Sequence, residues 1–197
     1  MRAVSAFSVV EKGSRRPPDR AEIYDVMCRY CRGVDRLDFE TLRSAYHEDA
    51  IDNHGPYNGT AEGFYEWVRN RHKTIPFSQH LLGNMLIEFS GPDDAVVETY
   101  NITFQRYPAD ARPSLEALLG DVPGDKDTAV DLIVNARYVD HVTRRNGEWR
   151  IQTRNVALDS TNMIEVPKAG FVTVDDQIRG QRDGGDILYT LRAQLGL

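Results

Sequence analysis

Hydrophobic positions along the chain follow two different spacings. Ile23, Val26, Met27, Tyr30, Cys31 and Val34 recur every three or four residues, which predicts an amphipathic helix with one buried stripe. Asp19, after Pro17-Pro18, is a suitable N-cap for that helix. Asp38 is placed to cap a short second helix carrying Phe39, Leu42 and Tyr46. A brief strand around residues 50–52 leads into the loop His54-Gly55-Pro56-Tyr57-Asn58-Gly59. Thr60 can then cap a third helix, to about His72, that buries Phe64, Trp67 and Val68.

After this third helix the period shortens towards two. Residues 79–90 and 95–107 predict two strands joined by the turn Gly91-Pro92-Asp93-Asp94. Residues 128–145 and 148–158 predict a long hairpin closed by Asn146-Gly147, a favoured type I′ pair. Residues 108–127, rich in Pro, Gly and Asp, read as a long loop. The remaining tail carries only a weak strand signal near residues 171–174 and a short helix signal near 187–195. Helices first and long antiparallel strands afterwards predict an α+β fold, with the helices packed on one side of a strongly curved, mostly antiparallel sheet. A bent sheet with helices across it encloses a cavity, the usual setting for a ligand site.

The 197 residues, 41% hydrophobic and 27% charged, suit one soluble domain. The expected division is a flexible N-terminal arm at 1–18, a domain at 19–158 and a C-terminal tail at 159–197. A net charge of −6 argues against nucleic acid as partner, since phosphate binding needs a basic face. No stretch approaches the roughly 20 apolar residues of a membrane span. The N-terminus lacks an apolar signal core, so a cytoplasmic protein is expected. Cys28 and Cys31 have the spacing of a redox or zinc motif, but they lie inside a predicted helix without a second cluster, and read as helix-packing thiols. His47, Asp52 and His54 match no common metal spacing, so no metal is expected. No phosphate loop, dinucleotide glycine fingerprint, nucleophile elbow or zinc-protease helix is present.

Six residues are candidates for chemistry. Asp35 continues the buried stripe of the first helix, where a carboxylate is costly unless paired; it could equally face solvent where the helix frays. His80 shares its strand face with Leu82, Asn84 and Leu86, a mixed face suited to a pocket wall, while Leu81, Met85, Ile87 and Phe89 read as core. A histidine there is either structural or, oriented by an aspartate, a general base. Arg154 lies opposite Val139 if the two-residue turn sets the register. It points either inward, where it could stabilise an anion, or outward among Arg144, Arg145 and Arg150. Tyr30 is a core or pocket tyrosine. His54 and Tyr57 are either exposed loop residues or ligand contacts.

Several segments together resemble the SnoaL-like branch of the nuclear transport factor 2-like superfamily. They are Tyr30 to Asp38, Tyr46 to Ala50, His54 to Gly59, Gln79 to Asn84, and Arg137 to Ile151. The resemblance spans about residues 19–158, and its enzymes include scytalone dehydratase, bile-acid 7α-dehydratase and hexachlorocyclohexane dehydrochlorinase. It implies a cone-shaped α+β barrel and a lyase without a cofactor, acting on a hydrophobic cyclic or aromatic small molecule. It also implies an Asp35–His80 dyad, Arg154 assisting departure of an anion, and Tyr30 as a substrate-binding residue. His54 stands where the dehydratases carry a tyrosine. An isomerase, a polyketide cyclase, or a binding subunit like the β subunit of ring-hydroxylating dioxygenases would fit the same resemblance. A homo-oligomer, trimer or dimer, is also implied. The apolar Phe171, Val172 and Tyr189 in a polar tail suggest that the tail covers the pocket or that of a neighbouring subunit.

Overall fold

The first helix, α1 (Pro17–Arg36), starts three residues earlier than the Asp19 cap implies, with Arg16 at the cap position, because prolines are tolerated in the first helical turn. Its stripe of Ile23, Val26, Met27, Tyr30, Cys31 and Val34 is buried as expected. Leu37, in the left-handed region at φ 53°, ends the helix and donates to the Gly33 and Val34 carbonyls. Helix α2 (Phe39–Ser44) follows at once, its Asp38 cap accepting from Thr41 N at 3.0 Å. The two helices meet at Gly33, where an added Cβ would come within 2.5 Å of Leu42 Cβ. The last turn of α1, which carries Asp35, is thereby fixed against α2. The structure, a computed structural model, describes residues 16–166 and 177–197.

Strand β1 (Tyr46–Asn53) is longer than the sequence suggests. Tyr46, expected on α2, opens this strand instead and buries its ring in the core. A short β2 (Asn58–Thr60) leads to α3 (Ala61–Arg71), with Thr60 accepting from Gly63 N as N-cap. Tyr65 is buried in α3 with Phe64 and Val68, whereas Trp67 is only half-buried. Long strands β3 (Phe77–Phe89), β4 (Asp94–Tyr107), β5 (Val130–Arg145) and β6 (Glu148–Glu165) complete the sheet. The β5–β6 turn has positive φ at both Asn146 and Gly147 (54° and 86°), the type I′ geometry. Strand order is β2-β1-β6-β5-β4-β3; β1 runs parallel to β6 and the other pairs are antiparallel. The described chain is therefore an α+β fold, with five α-helices and an open, mixed six-stranded sheet that curves around the core.

Two expectations need correction. Residues 108–127 are not all loop: a short 3-10 turn leads into α4 (Arg112–Leu119), which buries Leu115. Pro113 in its first turn opens this helix rather than breaking it. The hairpin does not stop at 158, since β6 continues to Glu165 against Val130. The strand signal near residues 171–174 lies outside the described residues, while the expected C-terminal helix is present as α5 (Ile187–Leu195).

Two of the sheet's register shifts decide which way the candidate residues face. On β3, Gly83 and Asn84 together oppose Tyr100, the only β4 residue between the Leu82–Asn101 and Met85–Thr99 pairs. A bulge adds one residue and reverses the alternation beyond it. His80 and Leu82 therefore share the inner face with Met85, Ile87 and Phe89, and Leu81 and Leu86 lie exposed outside. On β6 the register shifts between Ile151 and Thr153, so Arg154 pairs with Asp140, not with Val139.

Candidate functional site

A cavity of about 260 Å³ opens between α3, α4 and the concave face of the sheet. One wall is polar and consists of His54, Arg71, His80, Asn101, Thr103 and Gln105. The rest of the lining is mainly apolar, with Leu118 and Leu119 from α4, Leu132, Val134 and Ala136 from β5, in register beside Gln105, Thr103 and Asn101, and Val156 and Leu158 from β6. Trp67 and Tyr138 also line it. Such a division suits a molecule with a hydrocarbon frame and polar substituents on one side.

His80 enters this wall from β3 and meets Asp35 from the last turn of α1. The imidazole Nδ1 lies 2.7 Å from Asp35 Oδ1, and His80 N donates to Asp35 Oδ2 at 2.8 Å. Ser78 Oγ donates to Oδ1 at 2.9 Å. Burial works to raise the Asp35 pKa, but the His80 charge and the bonds from His80 and Ser78 outweigh it and hold the carboxyl below its ordinary value. An ionised carboxylate only accepts hydrogen bonds, so Nδ1 carries the proton and Nε2 is left as the basic nitrogen. From the tail, Arg182 braces this corner, donating to the carbonyls of Asp35 (2.9 Å), Val34 (2.9 Å) and Ile75 (2.7 Å). Burial lowers the pKa of this guanidinium to about 10.

A second imidazole–carboxylate pair faces the same cavity. His54 Nδ1 lies 2.9 Å from Oδ1 of the fully buried Asp52, whose Oδ2 accepts from Tyr46 Oη at 2.5 Å. The His54 ring stacks on Phe64 with centroids 4.8 Å apart. His54 follows β1 directly, so the strand sets its position relative to Asp52 two residues earlier.

The remaining sequence candidates lie outside the cavity lining. Arg154 and Asp140 form a sealed bidentate ion pair, Nε–Oδ1 2.9 Å and Nη2–Oδ2 2.7 Å, with both side chains 0% exposed. The guanidinium packs into the corner between the Tyr30 and Tyr138 rings, 3.9 and 4.0 Å from the ring centroids. Burial works against the Arg154 charge, but Asp140 raises its pKa well above the ordinary value. Tyr30 stands behind His80 with ring centroids 6.0 Å apart, and burial keeps its phenol protonated. Tyr57 donates to the Thr60 carbonyl at 2.7 Å and packs near Phe64 and Trp67, so it braces its own loop. Of the two cysteines, Cys28 is exposed and Cys31 is buried. His47 contacts the Thr143 carbonyl, and no group of three or more potential metal-ligating side chains occurs among the described residues.

Arg71 and the polar face of β4 were missed in sequence. Arg71 lies at the end of α3 in the run Arg69-Asn70-Arg71-His72-Lys73, a pattern usual for a solvated face. On β4 the inner residues Thr99, Asn101, Thr103 and Gln105 are all buried and polar, while Tyr100 and Ile102 point outward. That alternation was readable, but apolar-inward patterning assigns it the wrong face.

A family model described as a SnoaL-like domain matches residues 15–155. No curated protein matches the chain in sequence. Among solved structures, the hexachlorocyclohexane dehydrochlorinase LinA-type3 of Novosphingobium barchaimii is similar at TM-score 0.60 and 20% identity, covering 81% of this chain and 97% of its own. A scytalone dehydratase-like protein of Novosphingobium aromaticivorans gives TM-score 0.60 and 18% identity with the same coverage. An aromatic ring hydroxylase-like protein of that organism gives 0.58 and 21%, covering 78% and 96%. At these identities the likeness is one of fold.

Proposed function

Since the chain belongs to the SnoaL-like domain family, we propose that its cavity is the active site of a cofactor-independent lyase acting on a cyclic or aromatic small molecule. One observation carries this reading: His80 lines the cavity while its Nδ1 is held 2.7 Å from Asp35. His80 Nε2 removes a proton beside an activating group. The electron pair of that bond forms the new double bond, and the bond to the leaving group breaks. A halide departs as the anion, whereas a hydroxyl needs a proton, returned by the His80 imidazolium or supplied by His54. In the aldehyde-releasing variant the proton comes from a hydroxymethyl O–H, whose electron pair forms the C=O of the departing aldehyde; the carbon–carbon bond breaks, its pair forms the new double bond, and the neighbouring hydroxyl leaves as water with the proton that His80 returns. Thr103, paired with His80 across β3 and β4, has its hydroxyl proton to donate to an oxygen that gains charge, while Asn101 Nδ2 donates to Thr103 Oγ1 at 3.0 Å and its unpartnered Oδ1 can accept from a substrate hydroxyl. Arg154 acts on this site from behind, by fixing Tyr30 and Tyr138, rather than by touching substrate. General base catalysis of this kind contributes about 10²–10⁴-fold.

The test is a product screen by mass spectrometry, with chelator-treated protein beside His80→Ala. Substrates are β-hydroxy ketones, diarylpropane diols, halogenated rings and unsaturated steroids. His80-dependent loss of water, halide or formaldehyde is expected. An isobaric product would replace the lyase by an isomerase, and binding without turnover across the panel would favour a binding module. We also propose a homo-oligomer formed through the outer sheet face, on which Leu81, Leu86, Val96, Tyr100 and Ile102 are exposed. Light scattering that returned only monomer at assay concentration would exclude it.

A further inference from the structure

The polar wall holds one cation that the dyad does not use. Arg71 Nη1 donates to His72 Nε2 at 2.7 Å, and Nη2 donates to Gln105 Oε1 at 3.1 Å and to the Tyr107 hydroxyl. All three partners are neutral groups, and Arg71 Nε is buried without a hydrogen-bond partner. Among the described residues no carboxylate pairs with this guanidinium. Of the two most deeply buried guanidinium groups, Arg154 has the carboxylate of Asp140 as counter-ion, and Arg112 donates to the carbonyls of Val122, Pro123 and Asp125 away from the cavity.

The surroundings compound the shortage of acceptors. His72 lies between two guanidinium groups, with Arg71 on Nε2 and Arg182 Nη2 on Nδ1, 2.9 Å away. Burial and both arginines hold the imidazole well below its ordinary pKa, so it is neutral and has only one accepting nitrogen for two cationic donors. A buried cation without a counter-ion is costly, and an anion that arrives with a ligand relieves that cost. The cavity supplies the access, because Arg71 lines it beside Trp67.

We infer that Arg71 is a carboxylate-binding subsite, and that the ligand of this cavity is an aryl or cyclic carboxylate whose ring lies against the apolar wall. The inference rests on the cavity being the substrate site of the proposed lyase. Arg71 also connects to the dyad through hydrogen bonds. Gln105, which accepts from Arg71, donates to Ser78 Oγ at 3.4 Å, and Ser78 donates to Asp35. The carboxylate thereby anchors one end of the molecule on the wall that presents His80 at the other. A guanidinium, planar and permanently charged, suits this role better than an ammonium.

Isothermal titration of the full chain with paired probes tests it: benzoate, phenylacetate, cinnamate and 2-naphthoate, each against its neutral amide. At least one carboxylate should bind about 10–100-fold tighter than its amide. Arg71→Gln should abolish that preference and Arg71→Lys should restore part of it. Arg71 also holds Gln105 and Tyr107, so a readout on the unmutated protein runs in parallel. The Arg71 Nε–H resonance should shift with the preferred carboxylate and not with its amide. No preference in any pair, or a preference that survives in Arg71→Gln, overturns the inference. Failure of the lyase reading looks different: carboxylate preference would remain while no His80-dependent turnover is found.

Discussion

Asp35 and Asp140 are both buried carboxylates with a basic partner at 2.7 Å, yet they belong to different parts of the molecule. Asp35 holds an imidazole that looks into a cavity. Asp140 holds a guanidinium enclosed by two tyrosine rings. An imidazole exchanges protons near neutral pH, whereas a guanidinium does not. A buried carboxylate is thus a poor marker of chemistry taken alone. What distinguishes the two pairs is a partner that can release a proton and a cavity to release it into.

The contrast can be tested by substitution. His80→Ala should reduce turnover by about 10²–10⁴-fold, measured by product formation, while lowering the thermal midpoint less than Asp140→Asn does, measured by calorimetry, because Asp35 keeps the bonds from Ser78 Oγ and the residue-80 backbone N–H. Asp140→Asn should do the reverse in kind. Stranding the buried Arg154 should cost about 3–5 kcal/mol in a denaturant titration, whereas Asp140→Leu with Arg154→Met should recover most of it. If Asp140→Asn abolished turnover without loss of stability, the division between the two pairs would fail. Arg182→Gln removes the brace on the Asp35 and Val34 carbonyls, at a cost of about 1.5–3 kcal/mol. Its effect on kcat should exceed that on KM, because the dyad, not the apolar wall, loses support.

Acid titration separates the pairs more finely. The Asp35 pKa in the folded protein lies below its ordinary 3.8, so the unfolded chain binds more protons in that window. The stability it contributes is complete above the ordinary value and disappears as pH falls through the folded one. Asp35→Asn should therefore flatten the acid side of the stability curve below about pH 4, followed by chemical denaturation. The smallest change expected is from Tyr57→Phe. Losing the bond to the Thr60 carbonyl should cost about 0.5–1.5 kcal/mol with substrate affinity intact.

Much of the fold was legible because its signals are local. The α1 stripe, the Asp38 and Thr60 caps and the Asn146-Gly147 turn each depend on a few consecutive residues, and each occurs as expected. Asp35 and His80 were identified singly, by a carboxylate on an apolar stripe and a histidine on a mixed strand. Helix α4 was hidden by the Pro and Gly around it, and Tyr46 by helical spacing that carried over from α2. Arg71 was hidden by its neighbours Arg69 and His72, since adjacent charges read as a solvated face. The inner face of β4 was hidden because cavity-lining positions reverse the usual preference for apolar residues inside.

By itself the sequence determined the order of elements, the α+β class, and which side chains could exchange protons. These follow from backbone propensity and side-chain chemistry, which travel with the residue. Tertiary structure alone decided which of those side chains meet. Two inserted residues, in the bulges of β3 and β6, set Met85, Ile87 and Phe89 on the His80 side and moved Arg154 from Val139 onto Asp140. A bulge reverses every facing position beyond it without changing local periodicity. The curved sheet then brought α1, α3 and β3 together, so that His80 and Arg71 line one cavity with the Asp35 carboxylate behind the histidine.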